Sequence, residues 1–237
     1  MRVEGKNPVR ELLASGKSID KVYVLDGTRD LEIREFVRLA KGAKAKIEWV
    51  DKLALDKLSA TGRHQGIIAE ASEFEYQDIE QVLAGKTDPL LLLLDDLTDP
   101  HNLGSCIRVA ECVGATAVVI PSRHACLVNE TVMRAAAGAT AHMPVCKVGN
   151  LNDTIKWLKN NNVWVYGADM DGESMYKTDL TGGVAIVIGA EGKGLSPLTA
   201  KLCDKIISIP MHGKVDSLNA SVSAAVLLYE ADRQRRS

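Results

Sequence analysis

The sequence has 237 residues, 46 % hydrophobic and 25 % charged, enough for one large or two small domains with sizeable cores. Its 29 basic and 31 acidic residues give a formal net charge of −2, which excludes a bulk polycation gripping nucleic acid through many phosphates. No apolar h-region follows Met1, the longest aliphatic run (Leu90–Leu94) is too short to span a bilayer, and the five cysteines form no C-x-x-C. A cytoplasmic protein with reduced thiols and no structural metal is therefore expected.

In chain order, Asn7-Pro8 opens a helix over 8–15, with Asn as cap and Pro at the first helical position. Strands are predicted at 21–25, 47–50 and 66–71, and helical spacing of apolar residues covers 31–43 and 52–58. Residues 1–72 thus read as a compact α/β domain. Residues 73–89 are polar and acidic, carry Gly85 and Pro89, and read as a linker with one short helix around 79–83. Beyond them, continuous apolar runs predict strands at 90–95, 117–120, 163–169, 184–189 and 205–210. Helical segments at 103–113, 130–138 and 151–159, and a long one over 217–233, separate and follow them. This alternation predicts an α/β fold, a parallel sheet covered on both faces, with ligands beyond the carboxyl ends of its strands.

Three strand ends lead into unusual loops. The first runs Asp99-Pro100-His101-Asn102-Leu103-Gly104-Ser105-Cys106-Ile107-Arg108, where Asn102 at the expected helix start serves equally as a cap or as a site residue. Arg108 sits among small and apolar residues, where a guanidinium calls for an anionic partner: Asp95, Asp96 or Asp99 in a structural pair, or a ligand. The second, Gly189-Ala190-Glu191-Gly192-Lys193-Gly194, lacks the Ser or Thr of a Walker loop and the glycine spacing of a dinucleotide loop. Glu191 there repels phosphate, so the loop is either a tight turn or a seat for a cationic, phosphate-free ligand such as S-adenosylmethionine. In the third, Pro210 ends a strand, Gly213 turns the chain, His212 reads as an ordinary loop histidine, and Asp216 or Ser217 is expected to cap the last helix. Asn219 then falls inside the first helical turn, with no capping task.

Together these segments resemble the three signature motifs of the SpoU branch of the SPOUT methyltransferases. The matches are Asp99-Pro100-x-Asn102-x-Gly104-Ser105-x-x-Arg108-x-Ala110, then Ile188-Gly189-Ala190-Glu191-Gly192-Lys193-Gly194, then Ile209-Pro210-Met211-x-Gly213-x-x-x-Ser217-Leu218-Asn219-x-Ser221. Val109 departs from the Ser or Thr often found there, a change expected to affect packing more than chemistry. Residues 1–72 resemble the L30-related substrate-binding domain of 23S rRNA guanosine-2′-O-methyltransferases, marked by Gly5-Lys6-Asn7-Pro8-Val9 and His64-Gln65-Gly66-Ile67. The resemblance implies an L30-like domain (1–72), a linker (73–89) and a SPOUT-type methyltransferase domain (90–237) whose parallel sheet ends in a C-terminal deep trefoil knot. It also implies a homodimer with the active site near its interface, S-adenosyl-L-methionine as cofactor, no metal, and RNA (23S rRNA) rather than DNA or a membrane as partner.

Residue by residue, the resemblance puts Gly189, Ile209 and Leu218 around the cofactor, and Asn102, Arg108, Glu191, Ser217 and Asn219 in the catalytic set acting on a ribose 2′-hydroxyl. The family proposal makes the arginine the base. A guanidinium pKa above ~12 favours instead an electrostatic role, holding a phosphate and stabilising the developing alkoxide. Three alternatives stand beside this reading: a tRNA ribose methyltransferase of the same fold, a non-catalytic RNA-binding or assembly protein, and a nucleotide-binding α/β enzyme. Glu191 and the missing phosphate loop disfavour the last.

Overall fold

The computed structural model describes residues 2–15, 17–71, 74–214 and 217–236, which divide into two compact units, Met1–Glu75 and Tyr76–Ser237. The expected domain boundary at Ser72 and Glu73 and the expected cap Asp216 lie outside the described residues.

The first unit runs β1 (Arg2–Glu4), α1 (Lys6–Ala14), β2 (Ile19–Leu25), α2 (Leu31–Gly42), β3 (Lys46–Val50), α3 (Lys52–Leu58) and β4 (Ile67–Ala71). Its sheet has the order β1-β4-β2-β3, with β2 and β3 parallel and β4 antiparallel to both its neighbours. Asp30 caps α2 by accepting from the Glu32 and Ile33 amides, and Ile33, Phe36, Val37 and Ala40 recur at helical spacing to bury one face. They share a core with Val9, Val22, Val24 and Ile67. Asn7 is not the cap of α1. The helix begins two residues earlier than expected, at Lys6, because the Gln65 side chain accepts from the Lys6 amide at 2.9 Å and removes the need for a capping side chain. Gly5 precedes it at φ 88°, and its amide donates to the Ile67 carbonyl at 3.2 Å. The two glycine-containing marks at opposite ends of this unit are therefore one structural join.

The second unit contains α4 (Ile79–Leu83), β5 (Leu90–Leu94), α5 (Pro100–Cys112), β6 (Ala117–Pro121), α6 (Glu130–Ala135), β7 (Val145–Val148) and α7 (Leu151–Asn160). It continues with β8 (Trp164–Ser174), β9 (Val184–Ile188), α8 (Pro197–Leu202), β10 (Lys205–Ser208) and α9 (Ala220–Arg235). All its strand pairs are parallel, in the order β10-β8-β9-β5-β6-β7. Every residue of β5, β6 and β9 is buried, as two-sided coverage demands. Leu91 and Leu93 pack in one core with Ile155 and Leu158 of α7 and with Val82 and Leu83 of α4. Alternate residues of the strand point to the opposite face, and on the other side α9 packs against β9 and α5.

In the second unit two helix starts differ from expectation, and both differences shape the site. α5 begins at Pro100 rather than near Asn102, because Asp99 is the cap: its Oδ2 accepts from the Asn102 amide at 2.8 Å, and Pro100 has no N–H to satisfy. α9 begins at Ala220, capped by Asn219 and not by Ser217. The Asn219 Oδ1 accepts from the Ser221 amide at 2.9 Å and the Ser221 hydroxyl at 2.7 Å. Asn219 has a capping task after all, and Ser217 is left outside the helix.

Candidate active site

The three motif loops meet at the amide of Asn219. While its oxygen caps α9, its Nδ2 donates to Asn102 Oδ1 at 2.9 Å and to Glu191 Oε1 at 2.5 Å. One side chain thereby joins residues 117 and 28 positions away in sequence. The bond to an ionised carboxylate is the stronger of the two, so Glu191 does most to fix the orientation of the amide. The glycine loop that carries Glu191 closes on itself: Ala190 and Gly194 exchange backbone hydrogen bonds at 3.1 and 2.9 Å. A Cβ on Gly189 would lie 2.2 Å from the Gly194 carbonyl, so only glycine permits this closure.

Two cavities flank this junction. The first, about 540 Å³, is lined by Gly189, Glu191, Ile209, Ser217, Leu218 and Asn219 among others. Ile188, Ile207, Ile209 and Leu218 give it apolar walls suited to the faces of a heterocycle, and Asp169, Asp171 and Glu191 add carboxylates that favour a positively charged ligand. The sequence reading missed Asp169 and Asp171. The pairing of β10 with β8 jumps from Gly167 to Glu173, so residues 168–172 stand out of the ladder, and Ala168 to Asp171 line the cavity. Gly172 lets the strands touch there, since a Cβ would meet the Ile206 and Ile207 backbone at 2.6 Å. The available signal was the Asp169-Met170-Asp171-Gly172 run directly after the apolar residues that open the strand.

The second cavity, about 310 Å³, shares Ala190, Glu191 and Lys193 with the first and is otherwise walled by Asp96, Leu97, Thr98, Asp99, Asn102 and His124. The loop bearing His124 is tied to the first motif by the Cys126 amide, which donates to the Leu97 carbonyl at 2.8 Å. Burial and then the Asp99 charge push the Cys126 thiol above its ordinary range, so it stays protonated beside the cavity.

Arg108 is not brought to either cavity. It is exposed on α5 and forms no ion pair among the described residues, so the expected pairing with Asp95, Asp96 or Asp99 is absent. A guanidinium that faces water has no desolvation cost to offset and needs no such partner. Asp95, 7 % exposed, instead accepts from the Ser196 amide at 2.9 Å and fixes the start of α8. His212 is exposed and lines neither cavity. Among the described residues no group of three or more His, Cys, Asp and Glu is placed to hold a metal, and no helix is long and apolar enough to cross a membrane.

Residues 89–229 match the model of the SpoU rRNA Methylase family, and residues 2–77 match that of the RNA 2′-O ribose methyltransferase substrate-binding domain. The chain belongs to the SpoU methylase family. A TrmH family tRNA/rRNA methyltransferase of Bacillus subtilis (strain 168), YacO, is 40 % identical over 98 % of this chain and 95 % of its own length. The 23S rRNA (guanosine-2′-O-)-methyltransferase RlmB of Ralstonia nicotianae is 41 % identical over 92 % of this chain and 89 % of its own. Among solved structures, the SpoU methyltransferase AviRb of Streptomyces viridochromogenes, in complex with AdoMet, superposes with a TM-score of 0.64. It is 26 % identical and covers 100 % of this chain and 91 % of its own. The SpoU methylase fold accounts for the all-parallel second sheet, and a substrate-binding domain for the separate first unit.

Proposed function

We propose that this chain is a cytoplasmic S-adenosylmethionine-dependent methyltransferase that modifies the 2′-hydroxyl of a guanosine ribose in 23S rRNA, working as a homodimer. The observation that carries the reading is the Asn219 amide, which holds Asn102 and Glu191 together where the two cavities meet. The first cavity fits the cofactor: apolar walls for adenine, carboxylates for positive charge, and Gly189, Ile209 and Leu218 on its boundary. S-adenosylmethionine supplies there a methyl group made electrophilic by its sulfonium. The RlmB relative supports the choice of 23S rRNA and guanosine, and the match of residues 2–77 to a substrate-binding domain supports an RNA-gripping role for the first unit.

In this reading the chain contributes positioning and charge. Asn102 spends its oxygen on Asn219 and presents its amide N–H groups to a ribose oxygen in the second cavity. Glu191 lines both cavities and keeps Oε2 without a partner among the described residues, so it can accept from the 2′-hydroxyl and aim its lone pair at the methyl. Ser217, beside Leu218, holds the cofactor end. Arg108 acts from a second copy. It shares the outward side of α5 with the half-buried Val109, while α9, packed against α5, exposes Val222 and Tyr229 one heptad apart. Apolar side chains around an unpaired guanidinium suit an interface that carries Arg108 into the neighbour's site, where it stabilises the developing alkoxide. The C-terminal knot implied by the resemblance belongs to this proposal too.

Purified unmodified 23S rRNA and tRNA, incubated separately with the enzyme and methyl-labelled cofactor, test the reading. Label on one ribose 2′-oxygen of 23S rRNA is expected; label confined to tRNA favours the alternative that the YacO relative's broader description admits.

A further inference from the structure

The second cavity adjoins the first, where the proposed reaction puts the methyl donor, through Ala190, Glu191 and Lys193, which makes it the place for the acceptor nucleotide in that reading. One polar group already points to a ligand there. Asn102 is 8 % exposed, its oxygen is engaged by Asn219, and its Nδ2 has no partner among the described residues. That amide nitrogen keeps its N–H groups open to the cavity, where a ligand's oxygen can accept from them. With the ribose held by Asn102 and Glu191, the rest of the nucleotide must lie along Asp96, Thr98, Asp99 and His124.

Charge decides which part of the nucleotide goes there. The lining sets the carboxylates of Asp96, Asp99 and Glu191 against the single ammonium of Lys193, a negative balance that repels a phosphate and attracts N–H groups, so the base takes the place. Asp99 is already committed, through Oδ2, to the cap of α5. Asp96 is exposed and forms no hydrogen bond or ion pair among the described residues, which leaves both its oxygens available.

The four bases differ in what they offer a single free carboxylate. Guanine presents N1–H and an N2 amino hydrogen side by side, matching two parallel N–H···O bonds. Adenine and cytosine place a bare ring nitrogen next to their amino group, and its lone pair faces the second carboxylate oxygen. Uracil sets one N–H between two carbonyls. Only guanine satisfies both oxygens.

We infer that the second cavity seats the acceptor base and that the Asp96 carboxylate selects guanine by accepting from its N1–H and N2–H. This rests on the methyltransferase reading above and adds to it the residue that reads the base.

The test uses the full-length enzyme, methyl-labelled S-adenosylmethionine, and an RNA hairpin carrying the nucleotide that wild type methylates in 23S rRNA. That nucleotide is synthesised as guanosine or as inosine, which lacks the N2 amino group. Wild type is expected to lose about 10- to 100-fold in kcat/KM on inosine, the discrimination expected of a bidentate base contact. Asp96→Asn is expected to lose a similar factor on guanosine, to treat the two hairpins nearly alike, and to keep its affinity for S-adenosylmethionine. The wild-type comparison stands even if the variant folds poorly. Equal wild-type rates on both hairpins, undiminished discrimination by Asp96→Asn, or a mapped acceptor other than guanosine overturns the inference and leaves methyl transfer intact. A wild-type enzyme that labels no RNA at all overturns instead the reading on which the inference rests.

Discussion

Asn219 combines two tasks that substitution can separate. Asn219→Ala removes both the helix cap and the bonds to Asn102 and Glu191. Loss of a cap costs about 1 kcal/mol, which lowers Tm by roughly 2–4 °C in a chain of this size. Loss of the positioning bonds is expected to lower kcat by about two orders of magnitude. Asn219→Asp keeps the capping oxygen but meets Glu191 with like charge, so thermal melting should find it near wild-type stability while the label assay finds it inactive. Near-normal activity in either variant would contradict the positioning role. This residue also shows what the sequence concealed. The motif pattern marked Asn219, but the helix start was set at 217, three residues before Ala220, because Ser217 is as good a capping residue as Asn219 and spacing does not rank them. Arg108 was marked for the wrong local reason: its neighbours are apolar, yet its own side chain faces water.

At the level of elements, Gly104 and Glu230 show how the helices hold the site in place. A Cβ on Gly104 would lie 2.5 Å from the Ala135 Cβ and 2.7 Å from the Val132 carbonyl, so this motif glycine is there for the contact of α5 with α6. Gly104→Ala is expected to destabilise by about 1–3 kcal/mol in urea unfolding, and an unchanged midpoint would contradict the packing account. Glu230, 7 % exposed, accepts from Arg233 at 2.9 and 2.8 Å and from Gln234 at 2.8 Å, while Gln234 also bonds Leu180 and Thr178. These bonds, that to Arg233 foremost, hold the Glu230 carboxyl below its ordinary 4.5. A depressed carboxyl stabilises the fold above the unfolded value and loses that contribution as pH falls through the folded one. The stability advantage of wild type over Glu230→Gln should therefore be full at neutral pH and shrink in acid unfolding below about pH 4.5. An advantage constant down to pH 2 would contradict the linkage. The long apolar strands were legible because burial on both faces leaves no ambiguity about them. β1 and β7 were missed, being three and four residues long. The outstanding segment 168–172 was hidden because a register jump leaves no trace in hydrophobic period.

On the scale of the molecule, the two units with separate cores and the parallel second sheet follow from where apolar runs cluster. The proposed second copy would leave no periodic signal, because an interface of scattered apolar residues around a charge looks like ordinary surface. If Arg108 serves the neighbour's site, mixing inactive Arg108→Ala with inactive Asn219→Asp chains restores activity, since a mixed dimer then holds one site with both residues intact. Random pairing predicts recovery of about a quarter of the wild-type rate. No recovery places Arg108 in its own chain's site or outside the chemistry. The most direct measurement compares wild type with Arg108→Ala for transfer of label from S-adenosylmethionine to 23S rRNA, with cofactor affinity measured alongside by calorimetry. The account predicts one labelled ribose 2′-oxygen for wild type, and for the variant no turnover with an unchanged cofactor Kd. Near-normal turnover by Arg108→Ala, or label on a base instead of a ribose, would contradict it.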